Sequence, residues 1–358
     1  MRKIFLLIII LISHFILSAQ NLSAYLDYRN YFQAFDNGIE HQLEYLPVKS
    51  FKIGGAAIAY IDNTNELQVY ADGQKFHQTY AGTLTYFMTD YLLAYRVGNV
   101  LSVFEKQNTQ NLSYYCSVYE INDSLIGFFD DSNYNFSVYY KGNVTTLESS
   151  MLEPPKKIVS GSNTLAYVNQ SNFFKIFYQG KTYTIDDIAP VAFAAGRDVV
   201  AYIDDYTQNF HLFYKGDTAS IETFAPDSFK VGFGIMAYTD NLGNFRVFND
   251  GATRRLLSYS PDFFKVKGNI LLYAFGNNFN VFYKGEIFTI ENYIPADYQI
   301  GNDGVAYIDV GGQLKLFQNG KTYTVSYEII NNYSLNGNVL TYSVGTNTTK
   351  FFWNGKNY

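Results

Sequence analysis

Cysteine, tryptophan and histidine are almost missing from this chain of 358 residues, which has one Cys, one Trp and four His. A lone cysteine, Cys116, cannot make an intramolecular disulfide, so the core alone must hold the fold. A chain of this length can bury enough surface to do that. Cys116 itself reads as a small buried hydrophobe rather than a reactive thiol. Beyond the first twenty residues the histidines are His41, His77 and His211, each inside a strand-like run, and no H-E-x-x-H, G-x-S-x-G or cysteine cluster occurs. This argues against an enzyme, and neither a metal site nor a cofactor is expected. Paired carboxylates could serve a glycosidase, but among 32 acidic residues a pair is always to be found. Trp353, beside a glycine turn at the end of the chain, reads as packing. Basic residues are also outnumbered, 26 against 32, giving a net charge of −6. That excludes the basic footprint of a nucleic-acid binder or a general anionic-membrane binder. No stretch after the first twenty residues carries a capped helical period.

Long apolar runs are absent except for one at the start. Arg2 and Lys3 precede an apolar run from Ile4 to Leu17, and Ser18-Ala19-Gln20 supplies small residues. This resembles the secretory signals of exported Gram-negative proteins, with cleavage after Ala19. Residues 1–19 are therefore expected to be a signal peptide and 20–28 a short lead. No integral membrane segment should remain, and the protein should be periplasmic or extracellular. Loss of Arg2 and Lys3 makes the net charge more negative still.

What the chain has in abundance is aromatic: 34 Tyr and 31 Phe, residues that favour strands. They recur at about 35 residues. Tyr60, Tyr95, Phe128, Tyr167, Tyr202, Tyr238, Tyr273, Tyr307 and Tyr342 form one series, most of them preceded by alanine. A second series pairs an aromatic with a glycine three positions on, from Phe35/Gly38 to Phe352/Gly355. The unit 228–262 divides into four short apolar runs, A to D, separated by Asn, Asp and Gly, the residues that turns need. All seven prolines fall between run D and the next run A. Proline is excluded from central strands, so these are breaks between units.

Four short antiparallel strands per unit, repeated many times, resembles the β-propeller class over residues 29–358. The B–C runs IAYIDN…LQVY and VAYIDD…HLFY are similar to TolB-like propeller repeats, without their proline-aspartate-glycine turn. The expectation is an all-β fold: one closed propeller of eight or nine four-stranded blades, monomeric, with Ile39–Tyr45 completing the last blade. An outer-membrane β-barrel is the alternative fold, but runs of four to seven residues are short for a spanning strand.

Antiparallel alternation puts the B–C turns and D–A links on one face of such a disc. That face carries Asp62, Asp130, Asp204, Asp240 and Asp309. Each could simply cap its own turn; together they could attract a cationic ligand or a basic surface. The other face collects lysines. The function expected is a non-catalytic scaffold that binds a protein, peptide or glycan through its loop faces. The alternative is a polysaccharide- or peptide-acting enzyme, which would need repeat-breaking polar residues at the channel mouth.

Overall fold

The computed structural model describes residues 21–358 except Ala81 and Thr83; the expected signal peptide, 1–19, lies outside the described residues. Within them the chain forms ten antiparallel sheets, nine of four strands and one of three. In each four-stranded sheet the strands pair in sequence order. Blade 5 is typical: Lys157–Ser160 (A), Thr164–Val168 (B), Phe174–Tyr178 (C) and Lys181–Asp186 (D). Strands B and C are buried along their length, whereas D is largely exposed at the rim.

The expected eight or nine blades are therefore corrected to ten. The missed anchor is Tyr25, which follows Ala24 and stands about 35 residues ahead of Tyr60. It belongs to the strand Leu22–Leu26, which pairs with Phe32–Asp36, which in turn pairs with Ile39–Glu44. The first blade thus starts before residue 29. Its strands correspond to B, C and D. The ten sheets are separate, so the fold is a propeller and not one sheet closed into a barrel.

The expected manner of closure also differs. Ile39–Glu44 does not join the last blade. It is the outer strand of the first, and the last blade has its own short outer strand, Lys356–Asn357, extended by backbone hydrogen bonds between Tyr358 and Phe351. The ring closes by side-chain packing. Phe35 stacks on Phe351 at 4.3 Å, the Trp353 indole donates to Asn21 at 3.0 Å, and Ser23 and Thr341 share a 2.6 Å hydroxyl bond. Among the described residues no strand pairing crosses the junction, so aromatic area and a few polar contacts make it.

The anchors pack as core. Tyr60, Tyr167, Tyr238 and Tyr307 are fully buried. Before the anchor Phe128 the neighbouring blade leaves little room: a Cβ on Gly127 would meet the Leu165 side chain at 2.8 Å, whereas Leu272 and Thr341 stand at that position in blades 8 and 10. Most C–D turns place two residues at positive φ, as at Lys141 (51°) and Gly142 (83°), the twist a tight hairpin demands. In blade 3, Lys106 (48°) and Gln107 (66°) adopt it without glycine.

Candidate functional site

At the inner end of each blade the A–B turns crowd one another. A Cβ at Gly196 would stand 2.1 Å from the Gly232 carbonyl oxygen, and one at Gly232 would stand 2.4 Å from that of Gly268. Their absence lets backbone bind backbone between blades: Arg197 N to Gly232 O at 3.0 Å, Phe233 N to Gly268 O at 2.7 Å, and Asn269 N to Asn302 O at 2.7 Å. The series Gly54, Gly161, Gly196, Gly232, Gly268 and Gly301 is visible in the sequence as a glycine closing run A. It was not singled out there because glycine after a strand is ordinary turn chemistry.

This collar surrounds a cavity of about 550 Å³. Here the repeat is broken. Arg197 donates to Asp123 at 2.9 Å and to the Ser162 hydroxyl at 3.2 Å, and its guanidinium lies 3.6 Å from the Phe233 ring centre. Ser162 also donates to Asp123. Across the opening, Asn302 donates to Asp90 at 2.7 Å, joining blades 9 and 3. The polar groups of the mouth are thus bound to one another.

On the opposite face the structure places the five predicted aspartates one to a blade, each at its own B–C turn. Asp62 accepts from the Thr64 and Glu66 backbone N–H groups, at 2.9 Å each, and from the Thr64 hydroxyl at 2.8 Å. Asp130 accepts from Ser132 N and the Asn133 side chain, and Asp204 from the backbone and hydroxyl of Thr207. Asp240 accepts from Leu242 N, Asn244 N and Arg246 Nε, and Asp309 from Gly311 N and Gln313 N, with Lys315 at 3.4 Å. Burial alone would raise the carboxyls of Asp62, Asp130 and Asp240, but these hydrogen bonds outweigh it and hold all three below the ordinary carboxylate range. The Thr207 hydroxyl and backbone do the same for Asp204. All four therefore stay ionised at neutral pH. Asp27 makes the same cap in blade 1, accepting from Arg29 N and Tyr31 N.

Beside these turns runs a contact that the sequence reading did not find. Four buried anchor hydroxyls donate to a glutamate near the end of the preceding blade's outer strand: Tyr60 to Glu44, Tyr167 to Glu148, Tyr238 to Glu222 and Tyr307 to Glu291, at 2.7–2.9 Å. A cation on strand C often completes the group, as Lys175 does at 2.7 Å from Glu148, or Arg246 at 2.7 Å from Asp240. Blade 6 departs from this pattern. Asp186 stands in the glutamate position, and His211, stacked on Tyr202 at 5.1 Å, replaces the Lys or Arg. Burial and the adjacent Asp204 raise the Asp186 carboxyl. With Asp187 and Asp205, the blade 5–6 junction is acidic without a lysine or arginine at the strand C position.

The remaining candidates are structural in place. Cys116 is buried, and burial pushes its thiol up to about 12. Trp353 and His211 pack on aromatic rings, and His41 lies 6.0 Å from the Tyr70 ring. His77 is exposed beside Glu66. Among the described residues no group of three or more His, Cys, Asp or Glu is placed to hold a metal ion, and no helix is long and apolar enough to cross a membrane.

A family model described as a 10-bladed beta propeller domain matches residues 16–358. No curated protein matches. Among solved structures, the computationally designed Ika8 protein is 11% identical, with 86% of this chain and 96% of that chain covered and a TM-score of 0.34. The CRINKLY WD40 ectodomain of the Arabidopsis thaliana receptor kinase ACR4 is 9% identical, with 65% and 93% covered and a TM-score of 0.34. Prp20p of Saccharomyces cerevisiae is 9% identical, with 58% and 76% covered and a TM-score of 0.32. At such values these likenesses carry nothing about function.

Proposed function

This chain belongs to the 10-bladed beta propeller domain family, and from that premise we propose that it is an exported, non-catalytic scaffold binding a partner of basic character through its B–C face. The observation that carries this reading is the fixed charge of that face. The turn aspartates are held ionised by their own caps, so the charge is part of the fold and persists at any pH the protein meets near neutrality. Arg246 and Lys315 offset Asp240 and Asp309 locally. At Asp186, Asp187, Asp204 and Asp205 no lysine or arginine stands at the strand C position to do the same. Several carboxylates a few turns apart focus a shared negative potential, which draws a basic protein or peptide surface and weakens with salt.

The test is the joint replacement of Asp62, Asp130, Asp204, Asp240 and Asp309 by Asn. Asparagine keeps an acceptor for each turn and removes five charges. With the melting temperature within a few degrees of the parent, binding of a lysine-rich peptide should weaken at least about tenfold at low salt and depend less steeply on salt. Unchanged binding and unchanged salt slope would reject the acidic-face reading. The alternative, an enzyme acting at the channel mouth on polysaccharide or peptide, would require Asp123 to be released from Arg197 and Ser162 on substrate binding. Turnover of a polysaccharide or peptide panel that is abolished in Asp123→Asn would favour it over the scaffold.

A further inference from the structure

The two faces of the disc differ in more than charge. Eight of the nine D–A links expose a large apolar side chain, and Tyr80 does so at the end of the outer strand that leads into the ninth. Among the described residues no A–B or C–D turn exposes one. On that side positive φ favours Asn, Asp and Gly. Turn chemistry does not explain why exposed link positions on the aspartate-bearing face hold Tyr, Phe, Leu and Ile, which bury little surface there.

Blade 4 concentrates this chemistry. Its B–C turn lies between two links and is tied to both: Asp131 N donates to Tyr115 O at 2.8 Å, and Met151 N to Tyr134 O at 2.9 Å. Tyr114 and Tyr115 stand exposed between buried Ser113 and Cys116, and Leu152, 86% exposed, follows buried Met151. These side chains are therefore held out on pinned backbone, which lowers the cost of ordering them on contact. Tyr134 is 55% exposed and has a φ of 53°. The same left-handed turn position is Asn in blades 1, 2 and 5, Gln in blade 6 and Gly in blades 7 and 9. Asparagine and glycine visit that conformation readily, whereas a bulky residue is strained in it. With more than half its surface in solvent, Tyr134 does not recover that strain by packing. A strained, exposed ring marks a place kept for contact rather than for the fold.

We infer that Tyr114, Tyr115, Tyr134 and Leu152 form a docking patch around Asp130 and Asp131 for a partner-protein segment that presents a large apolar side chain flanked by lysine or arginine. The cationic flank rests on the acidic-face reading; the apolar contact does not. Tyrosines supply wide contact area on few rotatable bonds, and the carboxylates orient the flanking cations. A glycan fits less well. Every carboxylate oxygen of Asp130 and Asp131 already accepts a bond, from Ser113, Ser132 N, Asn133 or Ser117, and Leu152 has no ring to stack on a sugar. A second copy of this face would set carboxylate against carboxylate.

The test uses the full chain and a phage-displayed library of random peptides. Enriched peptides should carry Phe, Trp, Tyr or Leu beside Lys or Arg, and fluorescein-labelled synthetic copies should bind saturably by anisotropy. Tyr134→Asn is the discriminating variant, because asparagine suits the left-handed turn. Its melting temperature should equal or exceed the parent's, while peptide binding weakens at least about tenfold. Leu152→Ser should weaken binding too. Ile287→Ser, at an exposed position on the outer strand of blade 8, should leave it within about twofold. No enrichment, unchanged binding by Tyr134→Asn, or a lower melting temperature for that variant would overturn the patch and leave the acidic-face reading standing. Loss of binding in Tyr134→Asn for peptides without lysine or arginine would instead overturn the cationic flank and the reading beneath it. Co-sedimentation with phosphatidylcholine vesicles that Leu152→Ser abolishes would overturn the protein partner in favour of a lipid surface.

Discussion

A buried tyrosine hydroxyl that donates to a carboxylate must keep its proton. For Tyr60, Tyr167, Tyr238 and Tyr307, burial, followed by the neighbouring glutamate, raises the hydroxyl far above its usual value. The sign follows directly. Each group's contribution is fully present below about pH 10, where the unfolded tyrosine begins to ionise, and is lost as pH rises beyond it. Equilibrium denaturation should therefore show stability falling from about pH 10 upward. Tyr238→Phe should cost about 1 kcal/mol at pH 7, and its curve should fall less steeply in alkali than the parent's. At the acid end, Asp62, Asp130, Asp204 and Asp240 have lowered pKa values, so their contribution is present above about pH 4 and fades as pH drops through their folded values. Raised Asp186 acts in the opposite sense and softens that loss. The turn aspartates were legible as caps because cap and turn are two to four residues apart. The glutamates were not, because each is paired to a tyrosine on the next blade and no local pattern joins them.

Among the elements, the tight turns and the glycine collar respond oppositely to glycine. In blade 3, Gln107 adopts a φ of 66° that other C–D turns give to glycine. A left-handed conformation costs an L-residue about 1 kcal/mol. Gln107→Gly should therefore stabilise the protein by up to about 1 kcal/mol, read as a higher urea midpoint with unchanged slope. At the collar the reverse holds. Gly196→Ala would put a methyl group 2.1 Å from the Gly232 carbonyl oxygen, forcing two backbones apart. We expect a loss of about 2–3 kcal/mol and faster amide exchange at Arg197 and Phe233. Strand and turn positions were readable in nearly every unit, since Asn, Asp, Gly and Pro punctuate them. The exceptions sit at the ends of the described chain. Leu22–Leu26 adjoins an apolar run that reads as a leader, and Lys356–Asn357 is too short to carry a pattern.

The whole molecule is a ring with one unlike junction. Nine neighbouring pairs of blades are joined by covalent D–A links; blades 10 and 1 are joined by Phe35, Phe351, Trp353 and a few hydrogen bonds. Phe351→Ala removes the stacked ring and should cost about 3–5 kcal/mol. Hydrogen exchange should rise first in the first and last blades and only later opposite them. A uniform rise around the ring would contradict this. The closed architecture was legible from the period, but its count was not, because one anchor lay beside the apparent leader. Function was less legible for a physical reason. Ten blades share one plan, so a residue's chemistry is averaged across the repeat, and only departures such as Arg197 and His211 single out a place. A departure shows as unusual in the sequence, but its neighbours come from other blades.

The seam also fixes an orientation. Asn21 and Tyr358 meet there through Trp353. Asn21 leads into strand Leu22–Leu26 where the A–B turns emerge, on the side away from the aspartate-bearing turns. A linker, domain or engineered surface anchor attached ahead of Asn21 would leave from the back of the disc and mount the protein with its acidic face turned outward, free to meet whatever passes.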